Sequence, residues 1–373
     1  MVKILISEFS SHWKVIENVY KLLNKNSKKS EITLFINNDK SQKNILKLLF
    51  EDAKKANCII HKYHSSTYFI HLLLIGYRYD IINISTGPED PHYSNIFNAI
   101  FFYFCSIFYK NKIVLTIKNT RPYLKNTKGI KSFFLNLAIY NIRVITFETE
   151  TLKNVFHNET KISKTRLCES YDRYVDFNNL GIKDAKSVDR IKGKYRIGLL
   201  GAVEESRRDY NDIITAVGSV SSPIRDKIEF VTLGNSNGGS KNRLLADLKK
   251  LVDVDTTDGW ISAKDFDKRG ESCHLLLSPL KPAMEYGTYK GSGTFGDAVY
   301  LNKKVIIPSH VDPFYEFKET ALYYNSVNGL VSLFNNLDEL INQEIGDDFY
   351  KKFTSASVYK KIKNIIIKNG LWK

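Results

Sequence analysis

Short apolar runs alternate with stretches of helical spacing along the first 150 residues. Runs rich in Ile, Val and Leu predict strands, whereas apolar residues three or four positions apart predict amphipathic helices. The predicted strands are 2–7, 31–36, 58–61, 80–85, 112–117 and 144–147, and the predicted helices are 13–23, 44–53, 68–75, 96–109 and 130–140. Alternation of this kind is typical of a parallel sheet with crossover helices.

The apolar pattern weakens over residues 171–194, where Asn, Asp, Lys and Gly accumulate, and then restarts. The second part has predicted strands at 195–200, 228–233, 274–277 and 304–307, and predicted helices at 209–218, 242–251 and 294–301. The pattern therefore predicts an α/β protein with two Rossmann-like parallel-sheet domains, at 1–180 and 190–345. Residues 347–373 form a predicted amphipathic helix rich in lysine.

Composition narrows the class of protein. The 373 residues are 43% hydrophobic and 25% charged, which excludes wholesale disorder. A formal charge of +15 favours nucleic acid, an anionic membrane surface or a phosphorylated small molecule as partner. The four cysteines are far apart, which excludes a zinc ribbon and fits reduced thiols in the cytoplasm. The first apolar run stops at Ser7, so no secretory signal is expected.

The most apolar stretch of the chain is residues 96–109. At 14 residues it is shorter than the ~20 that span a bilayer. Two interpretations stay open. It is either a buried helix, or a helix whose aromatic side chains, with Lys110 and Lys112 beyond them, also enter a membrane interface.

Candidate binding residues follow strands in the second half, because ligands of open parallel sheets bind beyond the carboxyl ends of the strands. Gly201 follows the strand at 195–200 and allows a ligand to approach the backbone, and Arg207 and Arg208 can grip a pyrophosphate. The alternative for the arginines is a solvated helix start. The turn containing Trp260 either offers backbone groups to a nucleobase or is a surface loop with a packed Trp.

A glycine-rich loop after the strand at 274–277 leads into the helix that begins near Thr294. The free N–H groups and the positive dipole of a helix start bind anions. Lys290 adds a charge, Ser292, Gly293 and Thr294 form the helix start, and Asp297 can accept from ribose hydroxyls. The alternative is an ordinary turn capped by Ser or Thr. The order of residues is not that of a P-loop.

These three segments resemble the nucleotide-sugar domain of GT-B glycosyltransferases over most of residues 195–345. The resemblance rests on the Gly and Arg-Arg segment, on Asp-Gly-Trp-Ile-Ser, and on Lys-Gly-Ser-Gly-Thr-Phe-Gly-Asp-Ala followed by Asn-Lys-Lys-Val-Ile-Ile-Pro. It is looser over residues 1–150. It implies two domains that face each other across a cleft, with residues 347–373 packing back on the first. It also implies that no cofactor and no metal are bound.

The resemblance assigns roles to the candidate residues. Arg207 or Arg208 would hold the diphosphate of a sugar nucleotide, and residues around Trp260 would hold the base. Lys290 and the amides of residues 292–294 would bind the phosphates, and Asp297 would bind the ribose. The retaining branch has two glutamates eight positions apart, where this chain has Tyr289 and Asp297. We therefore expect inversion at the transferred sugar.

Inversion needs one general base to deprotonate the acceptor hydroxyl. The candidates follow predicted strands of the first domain: Glu8 follows the first strand, and Glu89, Asp90 and His92 follow the strand at 80–85. Each is alternatively a cap or a surface charge.

The predicted function is transfer of a sugar from a nucleoside diphosphate to a glycan or a lipid-linked acceptor, in cell-surface polysaccharide synthesis. The site of action would be the cytoplasm or the inner face of the cell membrane. Two alternatives stay open: a sugar-nucleotide 2-epimerase of the same fold, and a basic nucleic-acid-binding protein. Scattered lysines and the lack of a recognised binding motif oppose the second, so no nucleic-acid partner is expected.

Overall fold

The structure, a computed structural model, describes residues 2–8, 19–20, 22–23, 30–37, 59–63, 67–89, 95–124, 127–171, 193–236, 242–257, 259 and 261–371. The chain forms two compact units. Unit 1 comprises Met1–Tyr174, Tyr289–Gly291 and Thr354–Lys373, and unit 2 comprises Val175–Thr288 and Ser292–Phe353.

Unit 1 contains a sheet of seven parallel strands in the order β3-β2-β1-β4-β5-β6-β7. Central strands are apolar along their whole length because both faces are covered. The strands are β1 (Val2–Glu8), β2 (Ser30–Asn37), β3 (Ile59–Tyr63), β4 (Ile81–Thr86), β5 (Ile113–Ile117), β6 (Val144–Phe147) and β7 (Leu167–Glu169). The helices are α1 (Tyr68–Ile75), α2 (Ile96–Phe108), α3 (Ile130–Asn141) and α4 (Glu150–Thr160), with short 3-10 turns at Gly76–Arg78, Arg121–Tyr123 and Lys164–Arg166.

Unit 2 repeats this plan with six parallel strands in the order β10-β9-β8-β11-β12-β13. The strands are β8 (Tyr195–Leu200), β9 (Ile228–Leu233), β10 (Asp253–Asp255), β11 (Leu275–Leu277), β12 (Val305–Pro308) and β13 (Ala321–Tyr324). The helices are α5 (Tyr210–Ser219), α6 (Ser222–Arg225), α7 (Arg243–Lys249), α8 (Ala263–Glu271), α9 (Gly293–Leu301), α10 (Val327–Asn335), α11 (Leu337–Asn342) and α12 (Asp347–Lys351), with 3-10 turns at Pro282–Met284 and Ser309–Val311.

The last helix, α13 (Ser355–Lys368), belongs to unit 1 and packs on β7. Lys361 of α13 and Lys153 of α4 both pair with the buried carboxylate of Glu169, at the end of β7. The predicted single helix over 347–373 is therefore wrong. The chain forms two helices, because the side chain of Thr354 accepts from the backbone N–H of Ser357 and starts a new helix there.

The order of strands reverses once in each sheet. In unit 1 the chain runs from β1 outward to β3 and then returns to β4 on the other side of β1, so β1 and β4 flank the reversal. In unit 2 the same reversal lies between β8 and β11. Ligands of such sheets bind beyond the carboxyl ends of the two strands that flank a reversal. The fold thus marks one edge of each unit as a candidate site.

The predicted fold class of two parallel α/β domains is confirmed. The predicted helix at 44–53 lies outside the described residues, and that at 13–23 mostly does. Three cysteines, Cys105, Cys168 and Cys273, are buried free thiols, and Cys58 is outside the described residues. Within the part of the chain that the structure describes, no helix is both long and apolar enough to cross a bilayer.

Candidate functional site

A buried carboxylate lies at the strand reversal of unit 1. Glu8 is the last residue of β1 and is only 1% exposed. Both of its carboxylate oxygens accept from the Thr86 hydroxyl, at 2.6 and 2.7 Å, and Thr86 is the last residue of β4. The backbone register between β1 and β4 shifts at Ser7 and Glu8. The hydroxyl of the neighbouring strand therefore fixes the orientation of Glu8.

A second carboxylate, Glu89, follows β4 and is also buried. It accepts from the Tyr123 hydroxyl at 2.7 Å and from the backbone N–H of Lys118 at 3.3 Å. Burial and the negative charge of Glu89 raise the pKa of Tyr123 well above its ordinary value. Tyr123 consequently stays protonated and donates to Glu89. The other predicted bases, Asp90 and His92, lie outside the described residues.

An ion pair that the sequence candidates did not include lies at the same edge. Lys118, just after β5, pairs with the buried Glu148, just after β6, at 2.9 Å. The backbone N–H of Gly291 donates to the Lys118 carbonyl at 2.8 Å, and a Cβ at Gly291 would overlap the Glu148 carboxylate. A glycine is therefore required where the chain crosses this pair. The sequence signal that could have identified Glu148 as a candidate was its position after the predicted strand at 144–147.

The segment Tyr289–Gly291 packs on unit 1 through residues 118–121. The Tyr289 carbonyl accepts from the Thr120 N–H at 2.8 Å, and Arg121 stacks on the Tyr289 ring at 3.6 Å. Lys290 forms an isolated antiparallel bridge with Asn119. The sequence placed Lys290 in a phosphate-binding loop, whereas the structure places its backbone against unit 1. Its role toward phosphate stays a prediction.

Glu8, Glu89 and Glu148 follow β1, β4 and β6 of one parallel sheet, so all three lie at the carboxyl edge of that sheet. Carboxylates accept hydrogen bonds from hydroxyl groups and can take a proton from one. This edge of unit 1 therefore has the chemistry to bind and deprotonate a polyhydroxyl compound.

In unit 2, Gly201 follows β8 with a φ of +75°, a conformation that favours glycine. The half-buried guanidinium of Arg208 lies against Gly201 and donates to the carbonyls of Leu200 and Ala202, each at 3.0 Å. Burial lowers the pKa of Arg208 from its ordinary value. Arg208 therefore holds the turn after β8, and its Nε and Nη1 are occupied by backbone carbonyls.

Arg207 is more exposed and pairs with Glu204. Burial alone would lower the pKa of Arg207, but its hydrogen bonds to Glu204 and Tyr286 raise it. The Arg207 carbonyl accepts from the N–H of Lys281 at 3.0 Å, and Arg208 bridges to Leu280. The two arginines are thus tied to the loop after β11, at the strand reversal of unit 2.

Helix α9 begins at the same edge. Ser292 is its N-cap and accepts from the Thr294 N–H. The hydroxyl of Thr294 lies 2.9 Å from those of Ser292 and Ser278 and forms a hydrogen bond with each of them. A Cβ at Gly293 would meet no atom within 4 Å, which shows open space at the first helical residue. The first-turn amides of a helix have no acceptor within the helix, so this terminus is suited to an anion.

Asp297 is half-buried in α9, one turn after its start, whereas Trp260 lies outside the described residues. His310 was not among the sequence candidates. It follows β12 at the same edge, its ring bonds to the Leu280 backbone, and burial lowers its pKa. The signal for His310 was its place shortly after the predicted strand at 304–307.

Strand β10 carries an Asp-x-Asp pair, Asp253 and Asp255, that was not among the sequence candidates either. Asp255 pairs with Arg196 and Arg269, each at 3.0 Å, and Asp253 pairs with Lys194. These carboxylates therefore balance cations of unit 2 itself.

No family model and no curated protein sequence matches the chain. Solved structures do match it. The structure of HepE from Anabaena in complex with UDP has a TM-score of 0.66 at 11% identity, covering 98% of this chain and 100% of that one. The UDP-GlcNAc 2-epimerases of Neisseria meningitidis, bound to UDP-GlcNAc, and of Methanocaldococcus jannaschii each have a TM-score of 0.56, at 13% and 14% identity, covering 99% of this chain and 100% of theirs.

These similarities define the class of fold: the chain has the two-domain GT-B fold that is found in UDP-sugar enzymes. At identities this low, the likeness concerns the fold alone.

Proposed function

We propose that the protein is a glycosyltransferase that uses a UDP-sugar, with the nucleotide bound by unit 2 and the acceptor by unit 1. The observation that carries the proposal is the strand reversal of unit 2, where the Gly201 turn, Arg207 and the start of α9 occupy one edge. HepE supports the choice of nucleotide, since its structures hold UDP, UDP-glucose, or UDP and glucose.

In this proposal the amides at the start of α9 and the guanidinium of Arg207 bind the diphosphate, and Asp297 binds the ribose. Arg207 takes this role, and Arg208 supports it by holding the Gly201 turn through two backbone carbonyls. The positive groups stabilise the charge that develops on the β-phosphate as the sugar leaves. No cofactor and no metal takes part in any step proposed here.

Glu8 is the proposed general base. The acceptor hydroxyl gives its proton to the Glu8 carboxylate, its oxygen bonds to C1 of the sugar, and the electron pair of the broken C1–O bond stays on UDP. Each oxygen of Glu89 already accepts from one donor, the Lys118 backbone N–H on one and the Tyr123 phenol on the other. In this proposal Glu89 binds the acceptor, and Glu8 takes the proton. The acceptor itself is a glycan or a lipid-linked sugar.

A 2-epimerase is the second candidate, favoured by the buried glutamates at the carboxyl edge of unit 1 and by the likeness to two epimerases. The two reactions differ in their products. The protein is incubated with UDP-GlcNAc or UDP-glucose. A glycosyltransferase releases UDP as the sugar passes to water in place of the acceptor, whereas an epimerase forms the C2 epimer of the intact nucleotide. Anion-exchange chromatography and NMR separate these outcomes.

Nucleotide binding tests the role of unit 2. We expect UDP to bind, and Arg207→Ala to weaken it by about 10- to 100-fold, since a charge-assisted hydrogen bond contributes about 1.5 to 3 kcal/mol. Arg243→Ala is the matched control, because Arg243 lies on the surface of the same unit. Calorimetric titration with UDP measures both. Equal affinities of the two variants for UDP, or a wild-type protein that does not bind UDP, would refute the assignment of the nucleotide site to unit 2.

A further inference from the structure

Helix α2 has its polar and apolar sides reversed with respect to a surface helix of a globular protein. Its polar residues Asn98 and Ser106 are buried, at 1% and 0% exposure. Its exposed residues are all large and apolar: Phe97, Phe104, Ile107 and Phe108. By contrast, the exposed positions of α13 are mostly lysine. Solvent alone does not account for a helix that presents phenylalanine outward.

The helices on either side of α2 extend this surface. Helix α2 packs against both α1 and α3, and Tyr103 of α2 contacts the ring of Phe134 of α3 at 5.9 Å. We define the apolar face of unit 1 as the exposed large side chains of these helices and of the turn after α1. They are Leu74, Tyr77, Phe97, Phe104, Ile107, Phe108, Ile130, Phe133 and Tyr140. Such clustering of exposed apolar side chains marks an interaction surface.

The helices and turns that form the apolar face carry charges of one sign. Residues 67–79, 95–112 and 127–143, which form these helices and their turns, contain no Asp or Glu. The same segments contain Arg78, Lys110, Lys112, Lys128, Lys131 and Arg143. Arg78, Lys110 and Lys128 are exposed. A face with this composition attracts an anionic partner.

We propose that the apolar face of unit 1 docks on the surface of an anionic lipid bilayer. Phe, Tyr and Ile side chains enter the boundary between headgroups and acyl chains, while Lys and Arg contact anionic headgroups. A second copy of this chain is less suitable. A two-fold axis would bring the same cations of both copies together, with no acid in these segments to offset them.

The orientation of α2 and α3 relates this face to the proposed reaction. Each helix follows a strand of a parallel sheet, β4 or β5, so each begins at the carboxyl edge of unit 1. Phe97, Ile130 and Phe133 lie in the first turns of these helices, toward the edge that holds Glu8 and Glu89. If the proposed function holds, the acceptor is a lipid-linked sugar whose polar head reaches this edge from the membrane. Docking itself does not depend on that function.

Co-sedimentation of the protein with vesicles tests the proposal. We expect binding to vesicles that contain phosphatidylglycerol and little binding to vesicles of phosphatidylcholine alone. Phe108→Ser should weaken binding about tenfold or more, from the apolar area that the ring removes from water. Phe314→Ser is the matched control, because Phe314 is 66% exposed in unit 2 and Phe108 is 67% exposed. Lys110→Glu with Lys128→Glu should weaken binding to the anionic vesicles further.

Three results would overturn the proposal: no binding to anionic vesicles, equal loss in Phe108→Ser and Phe314→Ser, or a wild-type dimer that Phe108→Ser dissociates. The last, measured by analytical ultracentrifugation, would assign the face to a second copy. Titration of each variant with UDP keeps the two proposals apart. A variant that no longer binds vesicles but still binds UDP supports docking. A wild-type protein that binds vesicles but not UDP refutes only the proposed function.

Discussion

Replacement of Gly291 by Ala tests whether the ion pair of Lys118 and Glu148 depends on a residue without a side chain. A Cβ at position 291 would lie 2.5 Å from Cδ of Glu148, whereas carbon atoms in contact are about 3.5 Å apart, so the carboxylate must move by about 1 Å. That movement lengthens the 2.9 Å pair with Lys118 beyond a hydrogen bond. Separation of a buried pair costs about 3 kcal/mol or more, and we expect Gly291→Ala to lower the free energy of unfolding by about 3 kcal/mol.

Urea unfolding followed by circular dichroism measures the loss, with Gly293→Ala as the matched control. Position 293 has no atom within 4 Å of a Cβ, so this variant should stay within about 0.5 kcal/mol of the wild type. Glu148→Ala relieves the overlap, so the double variant should be less destabilised than the sum of the two single variants. Strict additivity, or equal stability of Gly291→Ala and Gly293→Ala, would refute the reasoning.

Two further predictions concern buried glutamates. Burial alone would raise the pKa of Glu169, but Lys153 and Lys361 lower it below its ordinary value. The ionised Glu169 therefore stabilises the fold fully above the pKa of a glutamate in the unfolded chain, about 4.3, and this stabilisation is lost as the pH falls through its lower pKa in the folded protein. In urea titrations at several pH values, Glu169→Gln should remove this loss of stability at acidic pH. Thr86→Val removes the hydroxyl that both oxygens of Glu8 accept. We expect unchanged UDP affinity and a lower kcat, because Glu8 loses the hydrogen bonds that orient its carboxylate. An unchanged kcat would show that Thr86 does not position the base.

Strands were predictable where a compact apolar run ends at a polar residue or a glycine. Predicted and observed bounds coincide for β6, β8 and β9 and for α1. Strands that are buried on both faces of a sheet are continuous apolar runs, and such runs can be recognised in the sequence. The bounds of helix α8 could not be predicted, because Phe266 is its one large apolar side chain and no helical period can be read from it. The short edge strands β7, β10 and β13 were missed for lack of length.

Among the candidate site residues too, the sequence predicts positions within the fold but not contacts between distant residues. The positions of Glu8 and Glu89 at the carboxyl edge were predictable, because the rule for parallel sheets needs only the end of a strand. Their role as a base stays a prediction. The pairing of Lys118 with Glu148, and of Lys290 with Asn119, joins residues that are far apart in sequence. No local sequence pattern encodes such contacts. The sequence therefore suggested only a phosphate-binding role for Lys290 and not its bridge to Asn119. Arg207 and Arg208 are adjacent in sequence, and only their contacts distinguish a guanidinium that holds a turn from one that is more exposed.

The two candidate edges differ in charge, and this difference decides which substrate each can take. At the strand reversal of unit 1, the buried Glu8 and Glu89 accept from a hydroxyl, a phenol and a backbone N–H, which carry no positive charge. A diphosphate would therefore meet negative charge at close range there. The edge of unit 2 offers a guanidinium and the positive end of α9, which suit a diphosphate. Hydroxyl groups, by contrast, are good partners for buried carboxylates, because they donate without adding charge. A neutral sugar hydroxyl thus fits unit 1 and a nucleoside diphosphate fits unit 2.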